Sequence, residues 1–222
     1  MIMSITKAEL KEYLFRQLEM FFPDNSSSKS DILDTAFDLA LQKTEYCFSH
    51  IAYPSYCENN VVKFNHLHQD QYCQFLYILS RTLWEQNANS MLCDKLLYLN
   101  KALHSILITY KVQLPDIFLL LHPVGTVLGN AIYNDFLVVM QNVTIEQSDK
   151  LCTLGKGVLL GAGSKILTGT VIGDNCSVGA NVVLRKANLM QNQIAYNGEK
   201  GLEIVTRKKE CAAQKYFNCK IK

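Results

Sequence analysis

His122 is the residue whose type and setting best suit chemistry. It sits in the segment LLHPVG, between an apolar run and a turn. An imidazole titrates near neutral pH, so a histidine held beside a substrate can take a proton as general base and return it as general acid. The other reactive groups are less well equipped. His66 and His68 stand two apart in HLH, a spacing that could offer two metal ligands on a strand, but no third ligand has supporting spacing and no metal is expected. Cys152 lies in a polar stretch without a His or acid close by in sequence to activate it. His104 falls within a helical pattern and is read as satisfied locally. Asn130, Asp135 and Glu146 follow His122 closely enough to share its surroundings, and the sequence does not choose among them.

The element that must position His122 is a repeat. From Leu154 an aliphatic residue or Met returns every sixth position, at Leu160, Ile166, Ile172, Val178, Leu184 and Met190. Gly follows at 155, 161, 173 and 179, and a small, polar or branched residue usually stands four places after the aliphatic one: Val158, Ser164, Thr170, Cys176, Val182. A period of six fits neither the 3.6 of a helix nor the 2 of a strand. It belongs to parallel β-helices, in which each hexad is one short strand plus a corner and three hexads make a triangular coil. The aliphatic residues then point inward, and glycine is expected to relieve the corner backbone. Upstream the pattern has two defects: Leu128 to Tyr133 is one residue short, and Ile145 to Leu154 is nine, which places an insertion between Gln147 and Thr153. Loops ejected from a rigid scaffold often carry function.

Before the repeat the chain reads as helical. Thr6-Lys-Ala-Glu9 is a capping box followed by Leu10, Leu14, Leu18 and Phe21 at helical spacing, with Pro23 as the stop. A loop is expected at 25–30, then a helix from Asp31 to near His50, with Ile32, Ala36, Leu39 and Ala40 on one face. Tyr53 to Asn65 has no period and is read as loop. A third helix spans Gln69 to Gln86 (Tyr72, Phe75, Leu76, Leu79, Leu83), a break follows from Asn87, and Ser90 starts a helix to about Tyr110. The fold class is therefore α+β: an α-helical domain over 1–114, a parallel β-helix over 115–200, and a tail over 201–222 that caps the last coil.

Bulk composition narrows the function. With 22 Lys and Arg against 20 Asp and Glu, the net charge of +2 gives no electrostatic footprint for nucleic acid. The eight Cys form no C-x-x-C pair, and the start of the chain has no secretory pattern, so reduced thiols in the cytoplasm are expected. No apolar run reaches the ~18–20 residues that a membrane span needs.

The segments LLHPVGTVLGNA, MQNVTI, GVLLGAGSKIL and VGANVVL together resemble the serine acetyltransferases, within the hexapeptide-repeat acyltransferases; the likeness runs from about Phe75 to Gly201 and is specific from Leu121 onward. The resemblance implies a left-handed β-helix, a homotrimer or a dimer of such trimers, and acetyl transfer from acetyl-CoA with His122 as general base. It also implies a coenzyme A site along the prism edge between two subunits. The matched positions are Ala162 and Ala180, with Gly161 and Gly163 leaving room for the pantetheine arm. Lys186, with Lys165, Arg185 and Lys200, is placed to meet the phosphates. The departures concern the acceptor. Leu121 replaces the acid expected before the base, the Arg-His-Pro of the family's substrate loop is replaced by SDKLCTLG, and the acid that orients the base has no clear equivalent. Asp116 is the nearest upstream carboxylate for that role. The expected activity is acetyl transfer to a small hydroxyl or amine acceptor, serine or a sugar. The alternatives are a sugar O- or N-acetyltransferase of surface polysaccharide synthesis, or a non-catalytic β-helix scaffold.

Overall fold

The computed structural model describes residues 1–24, 31–86 and 90–221. The loop expected at 25–30 and the helix break at 87–89 lie outside the described residues. Four helices precede the β-helix: α1 (Lys7–Phe21), α2 (Asp31–Ser49), α3 (Gln69–Glu85) and α4 (Ser90–His104). The capping box forms at α1, where the Thr6 side chain and the Glu9 backbone and side chain satisfy each other's amides. α1 buries Leu10, Leu14 and Leu18 as expected, but its fourth core residue is Phe15, and Phe21 is exposed. The stretch read as loop contains a hairpin: Cys57–Glu58 pairs with Val61–Phe64 across Asn59 and Asn60, both at positive φ. Asparagine tolerates the left-handed region that such a two-residue turn requires. α4 stops at His104 rather than near Tyr110. Ser105 turns to φ 54° and the chain enters the prism, with Leu107–Ile108 as its first rung. The β-helix thus begins ahead of the boundary expected at 114/115.

Three parallel sheets form the prism. The first face stacks 107–108, 127–128, 144–145, 165–167 and 183–185; the second 131–133, 152–154, 171–172 and 188–189; the third 118–120, 137–139, 159–160, 177–178 and 193–198. Regular coils advance eighteen residues, as from Thr153 to Val171 and from Lys165 to Val183, which is three hexads. Both upstream defects appear in the register. Val127 pairs with Thr144, seventeen on, and Thr144 with Lys165, twenty-one on, so the insertion adds three residues at the corner between the first and second faces. Leu154, Leu160, Ile166, Ile172, Val178 and Leu184 are buried in the prism, and so are Val158, Ser164, Thr170, Cys176 and Val182.

Met190 is a correction. Val171 pairs with Asn188 and Ser177 with Ile194, each seventeen on, so the corner after Leu184 is one residue short. Leu189 takes the inward place at 1% exposure and Met190 is 64% exposed; Ala195 follows inward. The glycines at 155, 161 and 173 also serve differently from the expectation. None of them has positive φ. A Cβ on Gly161 would lie 2.8 Å from the Val178 carbonyl oxygen, and one on Gly155 2.6 Å from the Asp174 nitrogen. They are required by the next coil's approach. The left-handed turns fall elsewhere, at Gly125, Asn142, Gly163 and Asn181 on one edge.

The tail does more than cap the last coil. Gln193–Gly198 turns back as a hairpin with Gly201–Thr206. The chain then runs back toward the helices, where Phe217 bridges to Ile51 and Asn218 bonds the carbonyls of Ser49 and His50. The Cys211 thiol donates to Gly157 and Phe217 meets Phe136 edge-on, so the outward side chains of the third face, Leu119, Val138 and Leu159, are buried too. One apolar core therefore runs through helices, prism and tail.

Candidate functional site

His122 stands at the turn joining the third face to the first. Its φ is 51°, a left-handed conformation uncommon for a residue with a Cβ. The acid beside it comes from another element. Asp70, in the first turn of α3, accepts the His122 backbone N–H at 3.1 Å through Oδ2, and the same oxygen lies 3.4 Å from His122 Nδ1. The aspartate side chain is 7% exposed and the histidine's 75%. A carboxylate at a helix N-terminus is favoured by the orphan amides and the helix dipole. Asp70 holds the His122 backbone N–H, and its carboxylate lies beside one ring nitrogen of a side chain that is mostly exposed.

The two line a cleft of about 110 Å³ with Gln69, Cys73, Leu103, His104, Ser105, Pro123 and Val124. Asp116 is not part of it. That residue lines a separate cavity of about 420 Å³ between α2, α3 and the segment 113–118. Asp135 and Glu146 are engaged elsewhere, accepting the backbone N–H groups of Ile117 and Thr168. Asn130 is exposed and, like those two, does not line the cleft. Cys152 is buried in the prism, and burial raises its thiol pKa, so it is not an activated nucleophile. His66 bonds Ser4 through Nδ1. No group of three His, Cys, Asp or Glu that could hold a metal occurs among the described residues.

The residues matched to a coenzyme A site share the edge that His122 heads. Asn142 N–H bonds Val124 O, Gly163 N–H bonds Gln141 O, and Asn181 N–H bonds Ala162 O, at 2.8–2.9 Å, so these turns stack directly under the His122 turn. Ala162 is half-buried and Ala180 exposed along that edge. Gly161 and Gly163 are filled by the coil below: a Cβ on Gly163 would overlap the Asn181 side chain. Lys186 belongs to a different edge, at the corner that also carries Lys150 and Gly169. Within one chain it is not brought to His122, Ala162 or Ala180.

Residues 151–186 match the family described as Bacterial transferase hexapeptide (six repeats). The repeat is a transferase hexapeptide repeat. No curated protein sequence matches the chain. Among solved structures, serine acetyltransferase from Vibrio cholerae O1 biovar El Tor superposes with TM-score 0.67 at 18% identity, over 92% of this chain and 81% of that one. Serine acetyltransferase from Brucella abortus strain S19, in complex with coenzyme A, gives 0.66 at 18%, over 93% and 84%. Serine acetyltransferase isoform 3 from Entamoeba histolytica, in complex with cysteine, gives 0.59 at 21%, over 90% and 74%. The fold, helical region and prism together, is that of the serine acetyltransferases.

Sequence reasoning missed Asp70. It lies 52 residues before His122, on a different element, and no local spacing links them. The available signal was a run of polar residues, Asp70, Gln71 and Gln74, on helical positions that α3 buries.

Proposed function

We propose that the chain is an acetyl-CoA-dependent acyltransferase that acetylates a small hydroxyl or amine acceptor, with His122 as general base. The observation that carries this reading is the buried Asp70 carboxylate beside His122 at the head of the edge that bears Ala162 and Ala180. With Nδ1–H directed at Asp70, the Nε2 atom is the free base. It removes the acceptor proton as the acceptor attacks the thioester carbonyl, and then returns that proton to the departing thiolate. Asp70 stabilises the imidazolium in between, as the acid of a His–Asp pair does. Acetyl-CoA lies along the Ala162–Ala180 edge, and the cationic residues at other corners, Lys186 among them, reach it from a neighbouring subunit.

The test separates binding from chemistry. Calorimetry should detect acetyl-CoA binding to the purified chain. His122→Ala should lower turnover, read as free thiol released, by roughly 10²–10⁴. Its acetyl-CoA affinity should stay near that of the wild type, because the histidine touches the acceptor rather than the nucleotide. An unchanged turnover in that variant would place the base elsewhere.

A further inference from the structure

The cavity that holds Asp116 lies apart from the cleft beside His122. It measures about 420 Å³ and is walled by α2, α3 and the segment 113–118. No residue of the His122 cleft or of the Ala162–Ala180 edge lines it. Its apolar wall includes Leu39, Ile78, Leu114 and Phe118. A concave, mostly apolar space of this size with a few polar groups suits a small molecule.

The charges in the wall are unequally matched. Glu85 accepts Lys43 Nζ at 2.7 Å and Arg81 Nε at 2.9 Å, and Arg81 Nη1 also donates to the carbonyls of Tyr110 and Lys111 at 3.2 Å. Asp116 has no such partner. Among the described residues no hydrogen bond or ion pair engages its carboxylate, and the residue is exposed. The cations are thus held within the wall, and the charge left open is negative.

A hydroxyl is left open as well. Thr82 lines the cavity at 0% exposure, and its Oγ1 has no hydrogen-bond partner. Other buried hydroxyls on these helices use a main-chain carbonyl one turn back: Thr44 donates to Ala40 and Ser80 to Tyr77. The Tyr77 hydroxyl in the same wall is fully used, donating to the Val112 carbonyl and accepting the Leu114 N–H. A buried polar group without a partner costs free energy, and a ligand that supplies the partner recovers it.

We propose that this cavity is a second binding site, for an organic amine with an apolar body. The ammonium meets the Asp116 carboxylate, the body packs on Leu39, Ile78 and Phe118, and a hydrogen-bonding group partners the Thr82 hydroxyl. The site is separate from the proposed catalytic one and does not depend on it.

Tyramine is the probe, because it joins an ammonium, an aromatic body and a hydroxyl. Calorimetry on the full chain, without acetyl-CoA, should show saturable binding at one site per chain. Phenethylamine lacks the hydroxyl, and 3-(4-hydroxyphenyl)propionate replaces the ammonium by a carboxylate; each should bind about threefold to fivefold more weakly or worse. Asp116→Asn and Thr82→Val should each weaken tyramine by a similar factor, the worth of one exposed ion pair or one hydrogen bond. Leu39→Trp, which fills the space, should remove binding. A thermal melt confirms that each variant is folded, and the first two substitutions are close in shape to the residues they replace. His122→Ala should bind tyramine as the wild type does, which separates this site from use of the amine as an acetyl acceptor. The proposal is overturned by no saturable binding up to ~10 mM tyramine, a limit that corresponds to almost no affinity. It is equally overturned if the carboxylate analogue binds as tightly, if folded Asp116→Asn and Thr82→Val both keep wild-type affinity, or if His122→Ala abolishes binding.

Discussion

The proposed base, His122, is picked out in the sequence by neighbours that carry the resemblance, whereas its neighbour Asp70 is not, because their relation exists only in three dimensions. The bond from the His122 backbone to Asp70 holds a left-handed turn that would otherwise be strained, and the same carboxylate faces the ring. Asp70→Asn keeps a hydrogen-bond acceptor for that backbone N–H but removes the charge that stabilises an imidazolium. It should lower kcat by about 10² or more with little change in acetyl-CoA affinity, by the logic of His–Asp pairs. Asp116→Asn, in its separate cavity, should change neither; steady-state kinetics of the two variants decide which acid serves the base. His104 makes a different prediction. Burial depresses its pKa from 6.5 to about 4, so the fold favours the neutral ring. The unfolded chain binds the proton first as pH falls, so this contribution is intact above about pH 6.5 and is lost progressively down to about pH 4. Between pH 7 and pH 5 the loss should be on the order of 2 kcal/mol. Thermal melts across that window should slope less steeply in His104→Gln than in the wild type.

At the scale of elements, periodicity carried the argument and failed only where a residue is deleted or added. The hexads fix the coil at eighteen residues, and the two upstream irregularities reappear as registers of seventeen and twenty-one. The corner after Leu184 was misread because Leu189 and Met190 are both apolar, so a sequence count of six continued unbroken across a corner that is one residue short. α4 was read too long for a related reason. Ile106 and Leu107 continue the helical spacing, but Ile106 is buried beyond the helix end and Leu107 pairs in the first rung. The prism core is tested at Ile172, 1% exposed and stacked in register between Leu154 and Leu189. Ile172→Asp places an unpaired charge where no water reaches, at a cost of several kcal/mol, comparable to the roughly 5–15 kcal/mol that holds a domain folded. The variant should lose its cooperative unfolding transition and its β-type circular dichroism. Retention of both would mean that the side chain is not inward.

Across the whole molecule, the three prism faces are treated unequally. The third is covered within the chain by the returning tail, which ties the last segment to the end of α2. The first two are not, and their outward positions include exposed aliphatics: Val127 and Val183 on the first, Ile132 and Val171 on the second. Isolated exposed apolar residues are ordinary on a monomer, but these occupy outward rungs of flat adjoining sheets. A parallel β-helix that assembles by its faces buries such rungs around a threefold axis, and cyclic closure leaves no face open to further addition. The corners also argue for it: His122 and Ala162 share one edge, whereas Lys150 and Lys186 flank another. Only a neighbouring prism, set corner to corner, brings the second set to the first. We therefore expect a homotrimer, three times the 25.2 kDa chain, by light scattering at the concentration used for assay. Val171→Lys together with Val183→Lys, both at exposed positions that the monomer fold does not need, should dissociate it. Acetyl-CoA affinity should fall with dissociation, because the edge around Ala162 and Ala180 then loses the opposing corner. A monomer with full acetyl-CoA affinity and turnover would show that one chain's edge suffices, and would remove the reason for Lys186 to face the nucleotide at all.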